Sequence, residues 1–396
     1  MSVDALCARK RQYTIGMYMA LKDSAFSWFI RHILNPKMQK LDSPGFIVTV
    51  VSGDETKSYR RLLFLEEPLI SHIEQHIVNK YKERGKQALY AIGKQFGYNY
   101  ASLSNFPQIG GTDTKKFLTF TYFLTRFITT TYASAADYNV TLKNKRFEIE
   151  VTDYVVCSKN GIGYIMAEGG ISGIWAYMVK DKAVEGVQLK CQGRGDKSCI
   201  IVAEPDSELK KEGITHFRNT NITLLPFNKK YKDMNTVRKV EHAKNSLKSL
   251  LDLHFFKYEK GMIKYHDMRY LMVDSNLIYI IENEIRKLPK GADVLFDICF
   301  EHGKYLQKEY GSQDYEKFIN DYFPSLGWGD VFTIKKGTNI KIVLMYYPWS
   351  VYSDTSDYLI PKGIISGFIS GCLSHEVRFK RSSGTATDNL TIVCEQ

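Results

Sequence analysis

The sequence predicts a mixed α/β protein of the α+β kind, in which an antiparallel sheet packed with helices occurs twice. Two observations carry this. Short apolar segments of strand-like pattern alternate with longer segments of helical period. The second half of the chain also repeats landmarks of the first in the same order. Gly169-Gly170-Ile171-Ser172-Gly173-Ile174-Trp175 returns as Gly363-Ile364-Ile365-Ser366-Gly367-Phe368-Ile369, 194 residues on. Residues 147–151 return near 340–344. Ala88-Leu89-Tyr90-Ala91-Ile92 with Gly97 returns as Val294-Leu295-Phe296-Asp297-Ile298 with Gly303, and residues 59–65 resemble 268–274. Four matches in one order point to duplication. The drift in offset is what loop insertions produce.

Each copy reads alike. A strand at 61–65, or at 269–273, leads into a helix. The first helix begins near Pro68, a position that tolerates proline, and Ile70, Ile73, Ile77 and Tyr81 form its apolar stripe. A second helix covers 86–101, and 292–310 in the second copy. A third covers 115–132, with a weaker counterpart at 315–323. Phe147, Ile149 and Val151 alternate with Arg146, Glu148 and Glu150, the period of a half-buried strand. Gly169-Gly170 reads as the entry to a helix ending near 180, with Ile171, Ile174, Trp175 and Met178 facing inward. A hairpin closes each copy: 187–191 and 199–203 in the first, 376–380 and 390–394 in the second. Residues 1–57 read as an extension, helical around Trp28, Phe29, Ile30 and Ile33, with a strand at 46–51. The predicted units are 58–205, a linker at 206–237, and 238–396.

Composition narrows the function classes. Of 396 residues, 44% are apolar, enough for two cores and too many for a disordered chain. The 26 Tyr and 22 Phe suit pockets for flat or apolar ligands. The net charge of +11 is spread out. Its densest patches, Arg9-Lys10-Arg11, Lys229-Lys230-Tyr231-Lys232 and Lys380-Arg381, lie on no DNA-reading motif, so no nucleic-acid partner is expected. No run reaches the roughly 18 apolar residues of a membrane span, and residues 1–11 lack an apolar signal core. A cytoplasmic protein is therefore expected. The seven cysteines are an odd number and do not resemble a disulfide framework. Cys299, Cys372 and Cys394 read as small buried residues.

Cys191 and Cys199 differ, because they flank the tight turn Gly193-Arg194-Gly195-Asp196. A hairpin there brings both thiols to one end of adjacent strands, where they can share a soft or borderline ion such as Zn²⁺. Cys157, at a predicted strand end, is the best third ligand. Gln188, Glu185 or water completes the set.

This segment resembles the 4-vinyl reductase domain family, which closes with an acidic residue, Cys three positions on, a Gly-Asp turn, Cys and a short apolar strand. Cys191, Gly195-Asp196, Cys199 and Ile200-Ile201-Val202 match, and the helix with Gly170 and Gly173 fits what precedes the motif. The acidic position is Gln188 here. The resemblance covers about 59–205, and reaches the second copy, which lacks the cysteines, only through the repeat. It implies an α/β fold shared with haem-NO-binding domains and transport-particle (TRAPP) subunits. In family members that sense phenols or hydrocarbons, a Zn²⁺ held by one acidic and three Cys ligands braces an aromatic-binding pocket. The match makes Cys157, Cys191 and Cys199 the zinc candidates.

The expected function is thus binding or sensing of a small hydrophobic or aromatic ligand. Trp175, Tyr122, Phe123, Phe127, Tyr154 and Tyr164 are the candidate pocket residues. Any signal passes to a protein partner or a second copy of the chain. The alternatives are a reductase acting on a vinyl or tetrapyrrole substrate, and a scaffold of the transport-particle kind. No catalytic set is apparent: Gly-x-Ser-x-Gly is absent. His72 and His76 have the i, i+4 spacing of a metal pair, but Ile73-Glu74-Gln75 between them does not give the zinc-protease order. They read as two histidines on a partly exposed helix.

Overall fold

The computed structural model describes residues 25–26, 28–30, 39–51, 58–225, 240–259, 262–336, 339–348, 358–379, 381–385 and 389–394. Ile33, Arg9-Lys10-Arg11 and Lys229-Lys230-Tyr231-Lys232 lie outside them. The fold is mixed α/β with antiparallel sheets. The first half runs β1 (Gln39–Ser43), β2 (Phe46–Val51), β3 (Ser58–Glu66), α1 (Glu67–Tyr81), α2 (Glu83–Leu103), α3 (Thr114–Thr131), β4 (Ala135–Thr141), β5 (Arg146–Thr152), the short α4 (Cys157–Asn160), α5 (Ile165–Met178), β6 (Val184–Lys190), β7 (Cys199–Pro205) and α6 (Asp206–Lys211). The second runs α7 (Leu247–Asp252), β8 (Lys257–Glu259), β9 (Met262–Tyr265), β10 (Met268–Asp274), α8 (Asn276–Arg286), α9 (Gly291–Tyr310), α10 (Tyr315–Ser325), β11 (Asp330–Lys336), β12 (Asn339–Met345), α11 (Leu359–Leu373), β13 (Arg381–Thr385) and β14 (Asn389–Cys394).

Two four-stranded sheets share one strand order, β4-β5-β7-β6 and β11-β12-β14-β13. A six-stranded sheet, β1-β2-β3-β10-β9-β8, joins the halves at its centre. There Phe64 opposes Met272 and Leu63 opposes Val273. Superposing residues 59–65 on 268–274 exchanges these two pairs, so the junction is symmetric in sequence position. Leu62 to Leu65 and Tyr270 to Val273 are all buried. Strands covered on both faces read as continuous apolar runs rather than alternating ones.

Helix packing repeats too, because glycines bring backbones into contact. A Cβ added at Gly169 would lie 2.2 Å from the Tyr90 carbonyl oxygen, and one at Gly173 2.2 Å from that of Lys94, so α5 rests directly on α2. On α9 and α11, a Cβ at Gly303 would lie 2.1 Å from the Ile364 oxygen, and one at Gly367 1.8 Å from that of Phe300.

Three expectations need correction. The helix predicted to open at Gly169 starts at Ile165, so its glycines are interior packing positions. The closing strand of the second half begins at Arg381, not 376. The backbone N–H groups of Val377 and Phe379 instead donate to the Ser370 and Ser366 hydroxyls of α11. The predicted linker is also not free: it carries α6, and Gln95 and Asn99 of α2 hold its backbone at Thr223 and Leu225.

Two adjacent glycines test the packing. A Cβ at Gly170 meets nothing closer than 3.8 Å. Gly169→Ala should destabilise the protein by about 1–3 kcal/mol through overpacking, whereas Gly170→Ala should be neutral or stabilising by up to about 1 kcal/mol. Denaturant unfolding of both variants checks this.

Candidate metal centre and ligand cavity

The cysteine hairpin is built by its turn. After β6, one helical turn at Gln192–Arg194 ends on Gly195 at φ +98°, a backbone state that suits glycine. Asp196 closes it, its Oδ2 accepting the Cys191 N–H at 2.8 Å. Cys199 then starts β7. A Cβ at Gly193 would sit 2.0 Å from the Cys157 carbonyl oxygen, so its absence lets the turn press on α4, which carries Cys157. Val156, just before it, has φ +69°, strained for a β-branched residue. The Val156 N–H is held at 2.7 Å by Glu67 Oε1.

These elements bring three buried thiols together. Cys157 Sγ lies 2.9 Å from Cys191 Sγ and 3.0 Å from Cys199 Sγ. They form a group of three buried side chains that could hold a metal ion. Zinc bonds of about 2.3 Å would hold sulfurs roughly 3.8 Å apart, so the thiols need part by less than about 1 Å. The hydrogen bond with Cys199 and then burial push the Cys157 thiol far up. Burial, then Cys157, pushes Cys191 up to about 11. The bond from Cys157 holds Cys199 below its ordinary value. Cys199 is thus the first thiolate, and a metal would displace the remaining protons.

The fourth-ligand candidates separate. Gln188 lies at the cluster: its Nε2 donates to Cys157 Sγ at 3.1 Å and its Oε1 accepts the Tyr164 N–H. Three thiolates on a divalent ion leave one negative charge. The nearby Arg194 guanidinium, which lowers the Cys191 thiol, balances it. The neutral amide of Gln188 adds none. Glu185 is not at the cluster, which corrects that expectation. Its carboxylate is 2.6 Å from Lys94 Nζ and accepts from Tyr90 OH at 2.6 Å. Three residues along a strand reverse the face.

Beside the cluster lies a cavity of about 360 Å³, within the size range of small-molecule sites. Helices α2, α3 and α5 wall it, and β10 and Leu277 of the second half close it. Of the candidate pocket residues, Phe123, Phe127, Tyr154 and Tyr164 line it. Trp175 and Tyr122 do not. Trp175 packs between Phe117 and Phe147 and donates to the Lys145 carbonyl at 2.7 Å. Tyr122 stacks on Phe26, toward a shallow surface depression.

Sequence reasoning missed Phe96, Tyr100 and Phe120, although the helical spacing of Phe96 and Tyr100 was visible. It also missed the polar end of the cavity, where Arg60 meets Asp274 of the second half at 2.6 Å. Tyr154 and Tyr164 belong to both sites. Their rings are 5.6 Å apart. Burial and then the charges of Cys157 and Cys199 push the Tyr154 hydroxyl well up.

No protein-family model and no curated protein matches the chain. Among solved structures, it is similar to the phenol-responsive sensory domain of the transcription activator PoxR with phenol. The match has 15% identity, covers 41% of this chain and 90% of that one, and has a TM-score of 0.31.

Glu74 of α1 ties the two sites together, accepting the Met166 N–H at 2.8 Å and the Asn160 amide at 2.5 Å. Burial pushes its carboxyl up from 4.5 to about 8. The folded chain therefore keeps a proton that the unfolded chain releases. The Glu74 contribution should fall as pH rises from 4.5 to about 8 and be flat above. Glu74→Gln should remove this slope, about 1.4 kcal/mol per pH unit at most, in denaturant unfolding across that range.

Proposed function

We propose that the chain binds a small aromatic or apolar molecule in this cavity, and that a zinc ion on Cys157, Cys191 and Cys199 braces the cavity wall. The observation carrying this reading is that Tyr154 and Tyr164 line the cavity, that Tyr154 stands three residues before Cys157, and that the Tyr164 N–H donates to the Gln188 side chain, whose amide donates to Cys157 Sγ. Holding the loop fixes both rings. The aromatic lining favours a flat guest, and the tyrosine hydroxyls and Arg60–Asp274 pair offer it one polar handle. We read the chain as two copies of one unit of the 4-vinyl reductase domain kind, the second without the cysteines. The second copy supplies the cavity's remaining wall rather than a second cysteine centre. No helix among the described residues is long and apolar enough to cross a membrane.

Protein purified without chelator should carry about one zinc per chain on the cysteines, lost in Cys191→Ala and Cys199→Ala. Metal analysis finding none, or an unchanged content in both variants, contradicts the zinc assignment. Phenol, 2-naphthol and indole should raise the melting temperature. At 100-fold excess over Kd the stabilisation is about 2.7 kcal/mol. Ala167→Phe, which fills the cavity, should abolish the shift. Persistence of the shift in that variant would place the ligand elsewhere.

A further inference from the structure

We propose that His72 and His302 form a second metal site, in which a borderline divalent ion such as Zn²⁺, Co²⁺ or Ni²⁺ joins the two halves of the chain. His72 is on α1 and His302 on α9, and the helices pack together where the halves meet. The Nδ1 atoms of the two rings face each other at 3.4 Å, with the ring planes at 71°. That separation is long for a hydrogen bond between ring nitrogens. It is close to the edge of a tetrahedron with metal–nitrogen bonds of about 2.0–2.1 Å, which is roughly 3.4 Å.

The other side of His302 supports the assignment. Its Nε2 faces Glu66 Oε2 at 3.5 Å, and neither buried atom has a hydrogen-bond partner among the described residues. Tyr322 donates to Glu66 Oε1 and fixes the carboxylate. A carboxylate behind an imidazole behind an ion is the arrangement that orients metal-binding histidines and makes them more basic. His302 is fully buried and His72 only partly, so the ion's open positions face outward on the His72 side. Tyr305 borders both rings there. His76, one turn along α1, directs its Nδ1 to the His72 carbonyl oxygen at 2.9 Å. Imidazole pairs suit borderline ions. By the internal sequence match His302 stands where the first half has Phe96, so the site belongs to the junction and to neither half alone.

The test is Co²⁺ titration of full-length protein that carries one zinc per chain, on the cysteines, read by visible absorption and by metal content. The expected result is a further equivalent of cobalt per chain, showing d–d bands without thiolate-to-cobalt charge transfer. His72→Ala and His302→Gln should abolish it, whereas Cys191→Ala and His76→Ala should retain it. Glu66→Gln should weaken it about 10–100-fold. No further equivalent in the wild type, or an unchanged titration in His72→Ala, overturns the proposal. If His302→Gln fails to fold, the half-buried His72 variant decides alone.

Discussion

The antiparallel pairing of β3 with β10 is the contact on which the rest depends. Among the described residues it is the one place where strands of the two halves enter a single sheet, and it carries two buried ion pairs across the junction. Arg60 reaches Asp274 at the cavity's polar end. Arg269 holds Glu67 through two hydrogen bonds at 2.6 and 2.8 Å and also reaches Asp153 at 2.9 Å. Burial alone would raise the Glu67 carboxyl. Arg269, the Val156 N–H and Lys159 reverse this and hold it below its ordinary value. The ionised Glu67 in turn retains the strained Val156 that positions Cys157. Losing one partner of such a pair leaves a buried, uncompensated charge, which typically costs about 3–5 kcal/mol.

The asymmetry between halves has a packing basis. Around the first-half cavity the aromatic side chains form walls. In the second half the corresponding helices meet through stacked rings: Phe318 lies 4.0 Å from Phe368 and 4.6 Å from Tyr322, with Tyr310 4.9 Å from Phe318. The Tyr270, Tyr310 and Tyr322 hydroxyls bond to one another and to Glu66. Ring contacts and a hydroxyl–carboxylate network join these elements in one half, and the other keeps space beside a cysteine loop.

Local pattern made much of this legible. The element order, the hairpin turn and the pairing of Cys191 with Cys199 all follow from spacing between near neighbours in sequence. So does the presence of Phe123, Phe127, Tyr154 and Tyr164 at the cavity. What was hidden depends on distant pairing. Asp274 reaches Arg60, and the β10 wall reaches the cavity, through the pairing of β3 with β10, and His302 reaches His72 through the packing of α9 on α1. Those strands, buried on both faces, show no alternation to reveal a partner. Glu185 fails as a ligand because its carboxylate is held by Lys94 and Tyr90, away from the thiols. Gly169 misled because a glycine at a helix crossing looks the same in sequence as one at a helix entry. Residues 376–380 misled because serine hydroxyls took the N–H groups that a strand partner would have used.

The central claim is that the cysteine centre and the cavity act as one unit through Tyr154 and Tyr164. The most direct measurement is the affinity of one cavity ligand, 2-naphthol, for zinc-loaded protein and for the same protein after chelation, by calorimetry. Binding should weaken at least tenfold without metal, a coupling of about 1.4 kcal/mol. Equal affinities, with both forms folded, would show that the metal centre does not brace the cavity and would contradict the account.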